Sequence, residues 1–164
     1  GGAYTNLAPA GIATPNNSLV IDNLKGLVYW AESGRLASCT NSVGCGSGNT
    51  LNNNGQIAPR GLEMNGSILT WLNYGSMPSI WDCDTNSCSG RTITSGSFDA
   101  VTTDTQFVYF AGFFQGSYGI GKLGKAPGDT IARLATLISP VSSIAVDNQY
   151  VYATTADSVI RYNK

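Results

Sequence analysis

The sequence predicts an all-β fold and, within that class, a β-propeller of four-stranded blades. Three observations lead there: a motif that recurs about every forty residues, the absence of sustained helical periodicity, and 20 Gly among many Asn, Ser and Thr. Each copy has an alternating strand, a tight polar turn and a second apolar strand. The first strands are 19–22, 62–65, 101–104 and 144–147, and they lead to Tyr29-Trp30, Thr70-Trp71, Tyr109-Phe110 and Tyr152-Ala153. A period near forty residues suits a propeller blade.

Composition predicts one stable domain spanning residues 1–164. A chain of 164 residues buries roughly 70% of its unfolded surface, and 42% hydrophobic content with 12% charge excludes a disordered chain. The net charge of −1 with scattered Lys and Arg gives no basic stripe, so we expect no nucleic-acid partner. No apolar run approaches the roughly 20 residues that span a bilayer, so we expect no membrane insertion.

The order of strands predicts how the blades are closed. Fourth strands are expected at 49–58, 91–96 and 129–139, and the stretch 3–15 resembles the last of these. The chain ends on a third strand at 159–162. We therefore expect four blade-equivalents of four antiparallel strands, with the last blade closed by the N-terminal strand. A closed four-bladed monomer, an eight-bladed ring of two chains, and part of a longer propeller or fibre subunit all remain open.

The four cysteines form two local pairs, Cys39 with Cys45 and Cys83 with Cys88. Each pair falls at the hairpin between a third and a fourth strand, where a disulfide is sterically reasonable. Two disulfides imply an oxidising compartment, so we expect a secreted, extracellular or cell-surface protein. A four-thiolate zinc site is the alternative, but the spacings C-x5-C and C-x4-C and the absence of His disfavour it. We expect no metal and no cofactor.

The repeats resemble YWTD-type and NHL-type propeller repeats, especially the cysteine-bearing versions of secreted bacterial proteins. Residues 22–32, with Leu27-Val28-Tyr29-Trp30, and residues 147–152, with Tyr150-Val151-Tyr152, carry the resemblance. Ala31-Glu32 stands where the YWTD motif has Thr-Asp, which weakens any transfer of receptor-like function. The resemblance implies a propeller, a fold that mostly serves as a binding platform.

Catalysis has little support in the sequence. The absence of His removes the commonest general base and excludes Ser-His-Asp and Cys-His arrangements. Asp82 and Asp84 share one face of a strand, where a Ca²⁺ site or a glycosidase-like pair is conceivable, but we expect two solvated carboxylates at a hairpin end. The acidic or amide residues that recur at 22, 65, 104 and 147 are expected to cap turns rather than to form a ring of ligands.

A binding surface is the stronger hypothesis. In a propeller, the loops between second and third strands share a face with the connections between blades, and the longest such insertions are 72–79 and 111–119. The candidate ligand-binding residues are Tyr74, Phe113, Phe114, Gln115 and Tyr118, with Asn53 and Arg60 nearby. The alternative for Phe113 and Phe114 is that they fill space between blades.

We therefore expect a non-catalytic propeller that binds a protein or a glycan. One alternative is a structural subunit that forms a homodimer, a larger ring or a fibre through its terminal strands. The other is a carboxylate-dependent hydrolase or lyase.

Overall fold

The structure is a computed structural model that describes residues 18–32, 34–40, 49–52, 58–126 and 128–164. The described residues contain fifteen β-strands. The strands are β1 (Leu19–Asp22), β2 (Leu27–Glu32), β3 (Arg35–Thr40), β4 (Asn49–Asn52), β5 (Pro59–Asn65), β6 (Ile68–Asn73), β7 (Ser79–Asp84), β8 (Arg91–Ser95), β9 (Ser97–Thr103), β10 (Phe107–Phe114), β11 (Ser117–Gly124), β12 (Ala132–Thr136), β13 (Ser143–Val146), β14 (Tyr150–Thr154) and β15 (Val159–Asn163). No helix in these ranges is long and apolar enough to cross a bilayer.

The strands form four antiparallel sheets in which chain neighbours pair. The first three sheets are β1–β4, β5–β8 and β9–β12, with four strands each, and the fourth is β13–β15 with three. This confirms the all-β prediction and the position of each repeat. The predicted closing strand at 3–15 lies outside the described residues, so closure by the N-terminal strand stays a prediction.

The sheets pack face to face in series, and each contact between neighbouring sheets has its own core. The second strands, β2, β6 and β10, are buried on both faces, because successive side chains point to opposite faces and each of these faces is covered. The three cores are centred on Tyr29, Leu36, Leu69 and Trp71, on Leu72, Ile80, Phe98 and Phe110, and on Tyr109, Ile120, Ile144 and Val151. Trp30 and Trp71 are buried within strands, as expected for tryptophans that pack the sheets.

The recurring aspartates cap the turns between first and second strands, as predicted. Asp104 Oδ1 accepts the backbone N–H groups of Gln106 and Phe107, both at 2.8 Å. Asp22 and Asp147 accept the equivalent pairs of N–H groups in their own sheets. Each carboxylate thus fixes a tight turn, which is the role that Asx side chains play in turns.

Asp104 also joins the third sheet to the end of the chain. The Lys164 ammonium forms an ion pair with Asp104 Oδ2 at 2.5 Å, and the Tyr109 hydroxyl donates to the same oxygen at 2.9 Å. Burial alone raises the pKa of the Asp104 carboxyl, but these donors and the two backbone N–H groups outweigh burial and hold it well below its usual range.

The second hairpin disulfide is confirmed. Cys83, at the end of β7, is bonded to Cys88 with the two Cα atoms 4.9 Å apart. Cys45 lies outside the described residues, so the pairing of Cys39 with Cys45 stays a prediction.

The expectation that Asp82 is solvated was wrong. Asp82 is buried, and its two carboxylate oxygens accept Arg91 Nε at 2.7 Å and Arg91 Nη2 at 3.0 Å. β7 and β8 place the two residues directly opposite one another, so a bidentate ion pair replaces hydration. Asp84 behaves as expected, because its Oδ1 accepts the backbone N–H of Asn86 at 2.9 Å and caps the turn.

Candidate binding face

The candidate binding residues that the structure describes lie at one end of the sheets, which we call the loop face. The loop face carries the turns between second and third strands, at 74–78, 115–116 and 155–158, and the first residues of β5 and β9. The Asx turns lie at the opposite end of the same strands, because each strand runs from one end to the other. The antiparallel order of the strands therefore brings residues distant in sequence to one end of the fold.

Arg60 and Tyr74 form a stacked pair on the loop face. The guanidinium carbon of the exposed Arg60 lies 3.8 Å from the centroid of the Tyr74 ring. The Tyr74 hydroxyl donates to the backbone carbonyl of Phe98 at 2.5 Å, which ties the β6–β7 turn of the second sheet to the start of β9. Burial raises the pKa of Tyr74, with the nearby Arg60 charge lowering it and Asp99 raising it. The stack presents a delocalised cation on a fixed aromatic ring.

Asp99 joins this pair as a residue that the sequence reasoning missed. Gly112 pairs with Phe98 and Ala111 with Ala100, so Asp99 is the extra, unpaired residue of a β-bulge. A bulge re-aims a side chain out of the regular pleat, and Asp99 is exposed at the loop face. Partial loss of hydration raises the pKa of the Asp99 carboxyl, and the hydrogen bond from the backbone N–H of Val141 partly offsets this. The sequence did carry a signal for this position, because polar Ser97 and Asp99 alternate with apolar Phe98 and Ala100 along β9.

The expected long insertion at 111–119 is instead a two-residue hairpin. β10 continues to Phe114 and β11 begins at Ser117, so Gln115 and Gly116 alone make the turn. Both have positive φ, 48° and 80°, as two-residue turns between twisted strands require. The predicted loop was wrong because the aromatic pair belongs to the sheet, whose regular register holds both rings in place.

Period-two alternation separates the two phenylalanines of this hairpin. Phe113 is 53% exposed and lies opposite Tyr118, whose hydroxyl accepts the backbone N–H of Val141 at 3.0 Å. Phe114 is buried against Phe110, and the Arg133 guanidinium stacks on its outer side at 4.1 Å. Phe113 is therefore available at the surface, whereas Phe114 belongs to the core between the second and third sheets.

A shallow groove lies beside the β6–β7 turn. It has a volume of about 270 Å³ and is lined by Asn73, Gly75, Ser76, Met77, Ser79, Trp81, Thr92 and Ser95. Met77 is exposed, and the Trp81 indole N–H donates to Ser79 Oγ at 2.8 Å. Trp81 was not among the candidate binding residues because it lies within a strand, yet it is only partly buried and lines this groove. Asn53 lies outside the described residues, so its position relative to the groove stays a prediction.

The loop face combines the elements of a recognition surface. Phe113 offers an apolar ring, Arg60 a cation, Asp99 an anion and Gln115 an amide at the exposed turn. Aromatic rings on short turns contribute large contact areas with little loss of side-chain entropy. Tyr74 and Phe113 flank the start of β9, because Tyr74 bonds to Phe98 and Phe113 pairs with Ser97. The arrangement suits contact with a polar ligand that carries some apolar surface.

Comparison with solved structures decides the fold. The chain superposes on a protein in the crystal structure of a nidogen/laminin complex with a TM-score of 0.76 and 16% identity, over 94% of this chain and 61% of that chain. It also superposes on a putative TolB from Agrobacterium tumefaciens (TM-score 0.73, 13% identity, 91% of this chain and 58% of that chain). A gluconolactonase from Xanthomonas campestris gives a TM-score of 0.70 at 10% identity, over 90% of this chain and 58% of that chain. The chain has a β-propeller fold.

The chain spans about three fifths of the length of these propellers. No protein-family model and no curated protein matches the sequence. At these identities the similarity establishes the fold alone, and function has to be inferred from the loop face.

Proposed function

We propose that this protein is a non-catalytic, extracellular β-propeller of the YWTD/NHL-like, cysteine-bearing type that binds a protein or a glycan through the loop face. The observation that carries the proposal is the exposed Phe113, held at the end of two paired strands by a two-residue turn. A half-exposed aromatic ring on a rigid hairpin is costly in water and is a typical anchor for a partner.

Two charged residues at the loop face, Arg60 and Asp99, support recognition of a polar ligand. Arg60 is stacked on Tyr74, so little of its side-chain freedom remains to be lost on binding. Asp99 supplies an acceptor from a bulge next to the same strand. Phe113 offers a ring on which a sugar can stack, and Arg60 and Asp99 offer a donor and an acceptor for hydroxyl groups at the same end of the sheets. An exposed peptide offers the same combination of apolar and polar groups.

Binding is favoured over hydrolysis because the buried Glu32 and Asp82 and the half-buried Asp104 are already engaged in the fold. Asp82 pairs with Arg91, Glu32 with Arg35 and Asp104 with Lys164. An acid committed to a bidentate ion pair or a turn is poorly placed to exchange protons with a substrate. The gluconolactonase among the structural neighbours shares only 10% of its residues with this chain.

An extracellular setting is supported by the disulfide between Cys83 and Cys88. A hairpin disulfide persists in an oxidising compartment and is rare in a reducing one. We also propose that a fourth strand from 3–15 completes the last sheet, which has an unpaired edge at β15 among the described strands.

The test is a binding screen with matched variants. The wild-type chain is applied to an array of neutral and acidic glycans and to a panel of extracellular matrix proteins, and any ligand is titrated by biolayer interferometry. Phe113→Ala and Arg60→Ala are each expected to weaken binding by tenfold or more, because anchors at the centre of an interface contribute about 2 kcal/mol or more.

Leu24→Ala is the matched control, since Leu24 is an exposed apolar side chain on an Asx turn at the opposite end of the sheets. It should leave the affinity unchanged. Equal losses for Phe113→Ala and Leu24→Ala would contradict the proposal, and so would binding that survives both loop-face substitutions.

A further inference from the structure

Three of the four sheets share one polar arrangement at the end that carries the Asx turns, and the second sheet departs from it. In each of the three, an aspartate caps the turn after the first strand and a tyrosine follows on the second strand: Asp22 with Tyr29, Asp104 with Tyr109, and Asp147 with Tyr152. Asn65 and Thr70 hold these two places in the second sheet. The second sheet therefore lacks both the carboxylate and the phenol ring.

The contact between the third and fourth sheets shows what the complete arrangement does. Lys164, which follows the third strand of the fourth sheet, donates to the backbone carbonyl of Asp147 at 2.6 Å. Its ammonium also pairs with Asp104 Oδ2 of the third sheet at 2.5 Å and lies 5.2 Å from the centroid of the Tyr109 ring. A half-buried ammonium thus receives a carbonyl, a carboxylate and an aromatic ring, which together replace its hydration.

Lys125 holds the same place in the third sheet but has fewer partners. The backbone N–H groups of Lys125 and Lys164 donate to equivalent carbonyls. Each ammonium also donates to the carbonyl of the aspartate in its own sheet, which for Lys125 is Asp104. In the part of the chain that the structure describes, no carboxylate lies within ion-pair distance of Lys125. Burial lowers the pKa of the Lys125 ammonium, and the charges of Asp104 and Asp82 only partly offset this. Lys125 is therefore a half-buried cation without a paired anion.

A cavity of about 190 Å³ lies beside Lys125, between the second and third sheets. The second sheet contributes Asp82, Arg91 and Ile93 to its lining, and the third contributes Val108, Leu123 and Lys125. By strand pairing, the last three correspond to Val151, Tyr162 and Lys164 of the fourth sheet, which lie around the Tyr109 ring. The cavity is thus bordered by the counterparts of residues that surround a tyrosine ring in the next interface, and the second sheet supplies only Thr70 in its place. Thr70 is fully buried, and its hydroxyl has no hydrogen-bond partner among the described residues.

Two carboxylates also line the cavity, and each is already engaged. Asp82 accepts two hydrogen bonds from Arg91, so these two charges offset one another. Asp129 Oδ2 accepts the backbone N–H of Ala126 at 3.0 Å, and this residue is exposed, so water screens its charge. Lys125 is left as the charge in the cavity that an added anion would neutralise.

We propose that this cavity binds a small aromatic carboxylate, whose carboxylate group pairs with Lys125 and whose ring lies against Ile93, Val108 and Leu123. Such a ligand combines the anion and the ring that Asp104 and Tyr109 supply to Lys164. Apolar walls with a few convergent polar groups are typical of sites for small molecules. The site lies at the opposite end of the sheets from the loop face, so it is independent of the proposed function.

NMR titration of the wild-type chain with benzoate, acetate and benzyl alcohol tests the proposal. Benzoate should bind at millimolar concentration or below and shift the signals of Lys125, Val108 and Leu123. Acetate and benzyl alcohol each carry half of the ligand and should bind more weakly. Lys125→Met should weaken benzoate binding about tenfold or more, because a hydrogen bond to a charged group contributes about that much. Lys122→Met is the matched control, since Lys122 lies over the Phe107 ring on the other face of β11, and it should leave the affinity unchanged.

Asn65→Asp gives the sharper result, because it restores the carboxylate that the other sheets have. This carboxylate should compete for Lys125 and weaken benzoate binding about tenfold, while circular dichroism shows that the variant is folded. The pKa of Lys125, followed through the NMR signal of its Cε, should rise when benzoate saturates the wild-type chain, because a nearby anion favours the ammonium. The proposal would be overturned if millimolar benzoate left the signals around Lys125 unchanged, or if Lys125→Met bound benzoate as tightly as the wild type. Acetate that binds as tightly as benzoate would overturn the placement of a ring in the cavity.

Discussion

Phe110 and Phe113 lie three residues apart in β10, yet their truncation should have very different effects on stability. Phe110 is fully buried and packs edge-to-face on Phe98 and Phe114, with ring centroids 4.9 and 5.1 Å away. Phe110→Ala removes both aromatic contacts and leaves a cavity, which costs about 4 kcal/mol. Phe113 keeps about half of its surface in water, so Phe113→Ala should cost about 1 kcal/mol.

Urea unfolding followed by circular dichroism measures both values from the midpoint and slope. Thermal midpoints should fall by about 8–16 °C for Phe110→Ala and by about 2–4 °C for Phe113→Ala. Phe110→Leu, which retains most of the volume, provides the ranking if the alanine variant does not fold. Equal costs at the two positions would refute the assignment of Phe110 to the core and of Phe113 to the surface.

Three further predictions concern the fold. In urea unfolding, Arg91→Ala should cost about 2 kcal/mol and Asp82→Asn about 1 kcal/mol, because only Arg91→Ala leaves a buried carboxylate unpaired. The reverse order would show that Asp82 is solvated. Gly112→Ala should prevent folding or cost more than about 3 kcal/mol, because its Cβ would lie 2.2 Å from the Ser97 carbonyl oxygen. Gly116→Ala has open space around it and should cost only about 1 kcal/mol of backbone strain. Similar thermal unfolding curves for the two variants, followed by circular dichroism, would contradict this geometry. Folding lowers the pKa of Asp104, so its ionised carboxylate stabilises the folded protein above the unfolded pKa of about 4, and this contribution is lost as the pH falls below that value. Between pH 6 and pH 2 the urea midpoint should therefore fall less steeply for Asp104→Asn than for the wild type. Parallel falls for the two proteins would exclude this role.

Repetition made most of the fold predictable. The recurring strand, Asx turn and strand located the first and second strand of every sheet, and Asp22, Asp104 and Asp147 cap their turns as expected. The fourth strand expected at 129–139 was predicted too long, because the structure has Ala132–Thr136 there. Of the strand expected at 49–58, residues Asn49–Asn52 are described as a strand, and residues 53–57 lie outside the described residues. Outer strands pair on one side only, so sequence pattern constrains their ends weakly.

The candidate site was predictable in place but not in detail. Tyr74, Arg60, Phe113 and Tyr118 do gather at one end of the sheets, because propeller topology fixes which turns share a face. The burial of Phe114 follows from the two-residue turn at Gln115 and Gly116, which both have positive φ. The glycine at 116 alone did not predict so short a turn. Asp99 owes its exposure to a β-bulge, and Asp82 its burial to an arginine nine residues away. Both depend on strand register, which composition and spacing leave undetermined.

Hydroxyl-radical footprinting of the protein with its captured ligand tests the binding face most directly. Mass spectrometry reports the oxidation of exposed aromatic, sulfur-containing and aliphatic side chains with and without the ligand. The account predicts strong protection of Phe113 and Met77 on the loop face and unchanged oxidation of Leu24 on the opposite end. Protection of Leu24 with Phe113 unaffected would place the ligand on the Asx turns and contradict the proposed function.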